Sequence, residues 1–395
     1  MPDPRVVKAV LLDLDGTLLD TESLVLDVAK GVLRNHGHDL TPDAQQAAIG
    51  RRPLEAWQAT IDCLGIQGVT AQQLFDESEV LLKHKWQDAR LMPGAARLLW
   101  HLHSHGIPMA LATSTSRATY EAKMCGKAAQ SLCSVFQATK CGDEVEHGKP
   151  APDCFHATAA KIGVAPEDCL VVEDAPSGVQ AATAAGMRVV VVPSIRDKDA
   201  YPQPDPEATA GCCAMLASLY DFAPEEYGLP AFEDRICGEL VPVEPPWTLK
   251  GTVVKGFGRG SKELGIPTAN LDSASLQGAL AEAVSGVYSG WASIGSSPEV
   301  YMTAMSIGWN PYFDNAQKTA EPWLLHDFDE DFYGEELRVL VVGYIRPEAN
   351  FESLDALITR IHKDADVTRE CLSSALLTST KKHPFLLPGS PDSAN

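Results

Sequence analysis

The chain has 395 residues, 45% of them hydrophobic and 22% charged, and carries a formal net charge of −21. Those fractions belong to folded chains, and the length suits about two domains of ordinary size rather than a disordered polymer. The negative charge argues against a general nucleic-acid or anionic-membrane binder, so an anionic substrate has to be held by local lysines, arginines, backbone N–H groups or metal ions. Residues 6–14 read as a buried strand that ends at Asp13-Leu14-Asp15-Gly16-Thr17. From residue 23 to about residue 87 the apolar spacing is helical, which predicts a helical insert. A helix over 95–103 follows Pro93-Gly94, and 107–112 reads as a second strand. Strands over 170–172 and 188–192 follow, with helices over 151–162 and 177–185. Short apolar strands alternating with helices predict a parallel sheet with helices on both faces.

The composition changes between about residues 194 and 246. Pro202, Pro204 and Pro206 make a poor helix or strand interior, and Pro242, Pro245 and Pro246 predict a semi-extended linker over 226–246. Beyond it the chain becomes strand-rich, over 249–254, 285–294, 300–307 and 336–345, with Gly and Pro between, which predicts a small antiparallel barrel. Residues 353–362 read as an amphipathic helix closing that domain. The tail over 376–395 is polar and proline-containing, and is expected to be flexible.

Ten scattered cysteines include no Cys-x-x-Cys pair, which excludes an evident zinc set or disulfide framework and predicts reduced thiols. The first five residues form no apolar signal core, and no apolar run is long enough to span a bilayer. A cytoplasmic protein with no nucleic-acid or membrane partner is the expectation.

Four separated pieces of the first half fit one mechanism. Asp13 and Asp15 sit at a strand end, Thr113 follows a second strand, Lys149 lies in Gly148-Lys149-Pro150, and Glu173-Asp174 follow a third strand. A carboxylate, Asp13, can attack phosphorus and form an aspartyl-phosphate. Attack by one anion on another needs a cation, and Asp13 and Asp174 suit a hard Mg²⁺. Lys149 neutralises further charge, the Thr113 hydroxyl donates to the transferring phosphoryl group, and Asp15 protonates the leaving oxygen and then activates water. A lone Asp-x-Asp-Gly is more often a turn; the four pieces in this order are what carry the reading. Over about residues 6–220 the chain resembles the haloacid-dehalogenase superfamily. The resemblance implies a Rossmann-like core with a small helical cap over about 22–90. It also implies that Asp15 lends its backbone carbonyl to the metal beside Asp13, Glu173 and Asp174. Arg51 and Arg52 are candidates for a phosphate ester or for a solvated helix end.

The second half holds Gly256-Phe257-Gly258-Arg259-Gly260 and then Pro267-Thr268-Ala269-Asn270. Thr268 and Asn270 alternate, so in an extended segment both side chains share a face and offer oxygens to Mg²⁺ while ATP phosphates complete its shell. The loop at Gly256 supplies backbone donors to those phosphates. A kinase acting on a hydroxyl also needs a base, and Glu321 before Pro322 is the candidate. Over about 247–372 the chain resembles riboflavin kinase, on Gly251 to Asn270, Ser306 to Tyr312, Glu321 to His326, Asp331 to Gly334 and Gly343 to Phe351. The resemblance implies a six-stranded antiparallel barrel with a C-terminal helix that transfers the ATP γ-phosphate to riboflavin. It places Gly256 and Lys262 near the nucleotide, Leu324 and His326 by the adenine, and Arg346, Asn350 and Phe351 by the flavin.

The fusion resembles the bifunctional plant-type enzymes that both make and hydrolyse FMN. It implies a phosphatase domain over 1–225 and a kinase domain over 247–375, with riboflavin, FMN, ATP and ADP as small-molecule partners and Mg²⁺ at both sites. The motifs alone do not exclude a mutase, and they leave two further alternatives for the first domain: a phosphatase for another small phosphate ester, or a non-catalytic regulatory module.

Overall fold

Four consecutive apolar residues, Ala9–Leu12, form strand β1, and all four are buried. The structure, a computed structural model, describes residues 7–48, 53–130, 132–194, 198–255, 266–272, 276, 280, 284–309 and 318–389. It divides into two units, Met1–Ala231 and Phe232–Asn395.

In the first unit, β1 is followed by β2 (Leu19–Asp20), β3 (Arg90–Leu91), β4 (Met109–Ala112), β5 (Ala138–Lys140), β6 (Cys169–Glu173), β7 (Arg188–Val191) and β8 (Gly211–Met215). Six of these make a parallel sheet in the order β5-β4-β1-β6-β7-β8. Every residue of β1, β4, β6 and β7 is buried, as expected of strands covered on both faces, so they read as apolar runs without alternation. The two edge strands, β5 and β8, went unforeseen. Ala-Thr-Lys and Gly-Cys-Cys-Ala-Met have little β-branched or aromatic content to mark them.

The insert enters and leaves through β2 and β3, which pair antiparallel with Leu19 opposite Leu91. Between them run helices Thr21–Asn35, Pro42–Ala48, Pro53–Leu64 and Ala71–Lys85. The Asp20 carboxylate accepts the Ser23 N–H and starts the first, and a reciprocal Thr70–Gln73 capping box starts the last. Val28, Val32, Leu33, Trp57, Ile61, Leu74 and Trp86 give the insert an apolar core of its own.

In the second unit, β9 (Val241–Val254), β10 (Asn270–Leu271), β11 (Gly286–Ile294), β12 (Tyr301–Trp309), β13 (Lys318–Leu324) and β14 (Glu336–Arg346) form an antiparallel sheet ordered β10-β9-β14-β11-β12-β13. The sheet curls until its two end strands meet: the Ala269 N–H, one residue before β10, donates to the Pro322 carbonyl of β13 at 2.8 Å. Helix Leu354–Leu372 lies against one face of this barrel, with the Ser289 and Thr368 hydroxyls hydrogen-bonded at 2.7 Å. It runs well past the expected end at 362, because Ala365, Val367, Cys371 and Leu372 continue the buried stripe.

Two expectations need correction. Residues 226–246 are not a free linker. Tyr227 and Leu229 are buried in the first unit, and Pro242, Pro245 and Pro246 lie inside β9. The ladder between β9 and β14 slips between Val341 and Gly343, and prolines are tolerated at such a bulge because they have no N–H to leave unpaired. The tail from 376 is not loose as far as residue 389. Leu377, Phe385 and Leu386 pack with Trp291, Leu340 and Val342, and the Trp291 indole N–H donates to the Thr380 hydroxyl at 2.9 Å. One apolar pair, Phe385-Leu386, outweighs its polar surroundings. Phe385→Ala is expected to destabilise the second unit by about 3–5 kcal/mol in chemical denaturation, the range for emptying a buried aromatic site.

Two candidate active sites

In the sheet order β4-β1-β6 the three strands run the same way, so their carboxyl ends open into one crevice. Asp13 follows β1, Thr113 follows β4, and Glu173 and Asp174 close β6; all four are buried. The Lys149 ammonium donates to Asp13 Oδ1 at 2.5 Å and to Glu173 Oε1 at 2.7 Å, and lies 4.8 Å from the Phe155 ring centre. The other Glu173 oxygen accepts the N–H groups of Asp174 and Ala175, each at 2.8 Å. Glu173 therefore fixes both the lysine and the Asp174 turn. The Thr113 hydroxyl oxygen accepts the Thr115 N–H at 3.1 Å.

Two glycines make this packing possible. Gly16 has φ +76°, and a Cβ there would overlap the Asp174 carboxylate. A Cβ at Gly178 would overlap the Glu173 carboxylate. Thr17 beside Gly16 donates to Asp174 Oδ1 at 3.1 Å. The Gly-Thr that follows Asp15 thus serves Asp174 as well as the turn, a use that strand–turn reasoning did not reveal.

Burial pushes the Asp13 carboxyl up to about 7; Lys149 pulls against this while Glu173 and Asp15 add to it. Asp174 is raised too, by burial and then by Glu173 and Asp13. Burial alone would lower Lys149, but the carboxylates of Asp13 and Glu173 outweigh it and hold its pKa above the ordinary value. Asp13, Glu173 and Asp174 bring carboxylate oxygens within 4.8 Å of one another. Three buried carboxylates facing one ammonium leave uncompensated negative charge, and their all-oxygen donor set fits Mg²⁺. A cation must displace the proton from Asp13, so Mg²⁺ affinity is expected to weaken as pH falls through about 7, approaching tenfold per unit. Calorimetric titration at pH 8, 7 and 6 checks this; a flat profile would show that Asp13 is already ionised across that range.

Asp15 has partners that the sequence reading missed. Lys123, from helix Arg117–Met124, donates to Asp15 Oδ1 at 2.6 Å, and the Thr115 hydroxyl donates to Oδ2 at 2.6 Å. Helical spacing marks Lys123 only as a basic residue near a helix end, and nothing local signals a partner so distant in the chain. Arg51 and Arg52 lie outside the described residues. His36 pairs with Glu77, and the His101 ring contacts the Pro230 carbonyl at 2.7 Å.

In the second unit the closing hydrogen bond from Ala269 to Pro322 sets Thr268 and Asn270 beside Glu321. Thr268 and Asn270 are half-buried and Ala269 and Leu271 buried, the alternation expected of an extended segment. Glu321, half-buried, sits opposite Ser306, Ser306 opposite Val287, and Val287 opposite Arg346. One row across four strands, about 14 Å wide at ordinary strand spacing, thus joins the candidate base to the arginine expected at the flavin. The helix crosses the same face: Trp323 packs with Ala365, and Arg346 binds Asp364 through Nε at 3.0 Å and Nη2 at 2.7 Å. Asp364 was not foreseen. It also holds Arg360 one helical turn away, and so fixes Arg346.

Phe351 lies 5.6 Å from the Arg346 guanidinium, and Asn350 is exposed beside it. Leu324 ends β13 in the core, and the exposed His326 packs its ring against Tyr301 and Phe328. Gly256 and Lys262 lie outside the described residues.

Comparison with known proteins gives the two halves separate kin. A riboflavin kinase family profile matches residues 243–372, and a haloacid dehalogenase-like hydrolase profile matches residues 7–186. A bifunctional riboflavin kinase/FMN phosphatase of Arabidopsis thaliana is 42% identical over 383 residues, which is 97% of each chain. The chain belongs to the bifunctional riboflavin kinase/FMN phosphatase family. Its kinase half is 50% identical to the riboflavin kinase of Mus musculus over 127 residues, 32% of this chain and 81% of that one. Its hydrolase half is 39% identical over 231 residues to a (DL)-glycerol-3-phosphatase 1 of Arabidopsis thaliana, covering 57% of this chain and 74% of the other. Among the described residues, no helix is long and apolar enough to cross a membrane.

Proposed function

We propose that this chain interconverts riboflavin and FMN: the second unit phosphorylates riboflavin with ATP, and the first hydrolyses FMN to riboflavin and phosphate. Likeness to one bifunctional relative along 97% of both chains carries the reading. In the first unit the Asp13 carboxylate attacks phosphorus, and the ribityl oxygen leaves with a proton from Asp15. Asp15 then takes a proton from water, which attacks the aspartyl-phosphate and frees Asp13. Lys149 and the Thr113 hydroxyl hold the phosphoryl oxygens. When bound by Asp13, Asp174 and the Asp15 carbonyl, with Glu173 beside them, Mg²⁺ would supply positive charge to offset the meeting of two anions.

In the second unit Glu321 draws the proton from the riboflavin 5′-hydroxyl as that oxygen takes the γ-phosphoryl group. Thr268 and Asn270 would hold Mg²⁺ with ATP, Gly256 and Lys262 would attend its phosphates, and Leu324 and His326 would border the adenine. Arg346, its fork held by Asp364, faces the flavin with Asn350 and Phe351. We place the phosphatase domain over about 1–231, its cap over about 22–90, and the kinase domain from β9 onward. The free cysteines and acidic surface suit a reducing, cytoplasmic setting without nucleic-acid or membrane partners.

The likeness of the first half to a glycerol-3-phosphatase favours one second reading, in which that half acts on another small phosphate ester. Following riboflavin, FMN and free phosphate together, with and without ATP, tests the pair of activities. FMN made from riboflavin and ATP, with phosphate released from FMN alone, supports the proposal. A chain that releases phosphate from glycerol 3-phosphate but not from FMN would establish the second reading.

A further inference from the structure

The carboxylate of Asp15 stands on the Gly16 turn, outside the β1 ladder, and two side-chain torsions are free to swing it. It is nevertheless held at both oxygens. The Lys123 ammonium reaches Oδ1 and the Thr115 hydroxyl reaches Oδ2, each at 2.6 Å, and Lys123 also donates to the Thr115 oxygen at 3.2 Å. Lys123 is only 4% exposed, and its ammonium lies 4.5 Å from the ring centre of Trp86, which belongs to the apolar core of the insert. A buried ammonium with two oxygen partners and an aromatic floor is a built site, and nothing in the phosphoryl-transfer scheme requires it.

We propose that Lys123, braced by Trp86 and Thr115, is a positioning residue that aims Asp15 at the leaving oxygen. This rests on the phosphatase reading of the first unit. Each carboxylate oxygen keeps a lone pair beyond the one already used, so the clasp fixes direction without closing the group to substrate. Aim matters for a leaving alkoxide, which must be protonated as it departs, and hardly at all for p-nitrophenolate, which leaves unassisted.

The test uses the full chain and its Lys123→Met and Asp15→Asn variants. The substrates are p-nitrophenyl phosphate and whichever of FMN and glycerol 3-phosphate the unaltered chain hydrolyses faster. Lys123→Met is expected to lower kcat/KM, which reports the steps through departure of the leaving group, about 10- to 100-fold on the alkyl phosphate and by less than about threefold on p-nitrophenyl phosphate; kcat falls on both, because Asp15 also activates the water that frees Asp13 from either substrate. Should Lys123→Met fail to fold, Thr115→Val removes one of the two clasping donors and must show the same selective loss. Equal loss of kcat/KM on both substrates, while Asp15→Asn stays selective for the alkyl phosphate in kcat/KM, overturns the positioning role. An unselective Asp15→Asn instead overturns the assignment of Asp15 to the leaving oxygen, and the present proposal with it.

Discussion

Replacing Asp13 by asparagine is expected to lower phosphate release from FMN by about 10⁴-fold or more, with riboflavin phosphorylation unchanged. The amide keeps the size of the carboxylate and removes its nucleophilic charge. The backbone bond from Asp13 N–H to the Val172 carbonyl, 3.0 Å long, is untouched, so the strand end stays in place. Lys149 keeps Glu173 as a partner at 2.7 Å, which limits the damage to folding. Phosphate release and FMN synthesis are measured on the same preparation, and the kinase then reports on the intact chain. Release at the original rate would place the nucleophile elsewhere.

Glu321→Gln is the complementary change, expected to slow FMN synthesis by about 10²- to 10⁴-fold, the contribution of a positioned general base. The side chain differs by one amide, and the ladder pairing Glu321 with Ser306 runs through the backbone. So does the closure from Ala269 to Pro322. ATP binding measured by calorimetry is expected to survive, which separates lost chemistry from a lost nucleotide site. Phosphate release from FMN by the first unit is expected to continue. Near-normal synthesis would remove Glu321 from the reaction.

How far the chain reveals itself varies with the kind of interaction. β1, β4, β6 and β7 are buried on both faces, and uninterrupted apolar runs announce that state. The edge strands β5 and β8 do not, since half-covered edges need no such run. Asp13, Thr113, Lys149 and Asp174 stand out in the sequence because each lies at a strand end or turn, and the parallel sheet brings those ends to one crevice. Lys123 and Asp364 were missed because each lies on an amphipathic helix, where a charged residue ordinarily faces water. Their partners, Asp15 and Arg346, come from other elements, and only the folded sheet brings them close. The prolines of β9 misled in the opposite direction: a bulge tolerates what a regular ladder would reject. Phe385 and Leu386 show that two apolar residues can anchor a segment whose average composition reads as loose.

The insert of the first unit joins its host through β2 and β3, two residues each, and otherwise carries its own apolar core. So narrow a seam leaves the two apolar cores free to change separately. Substitutions buried among the four inserted helices are expected to soften the insert while Asp13, Thr113, Glu173 and Asp174 keep their strand ends, since none of those residues stands on it. Trp86 is the exception, because its ring also floors Lys123 in the host.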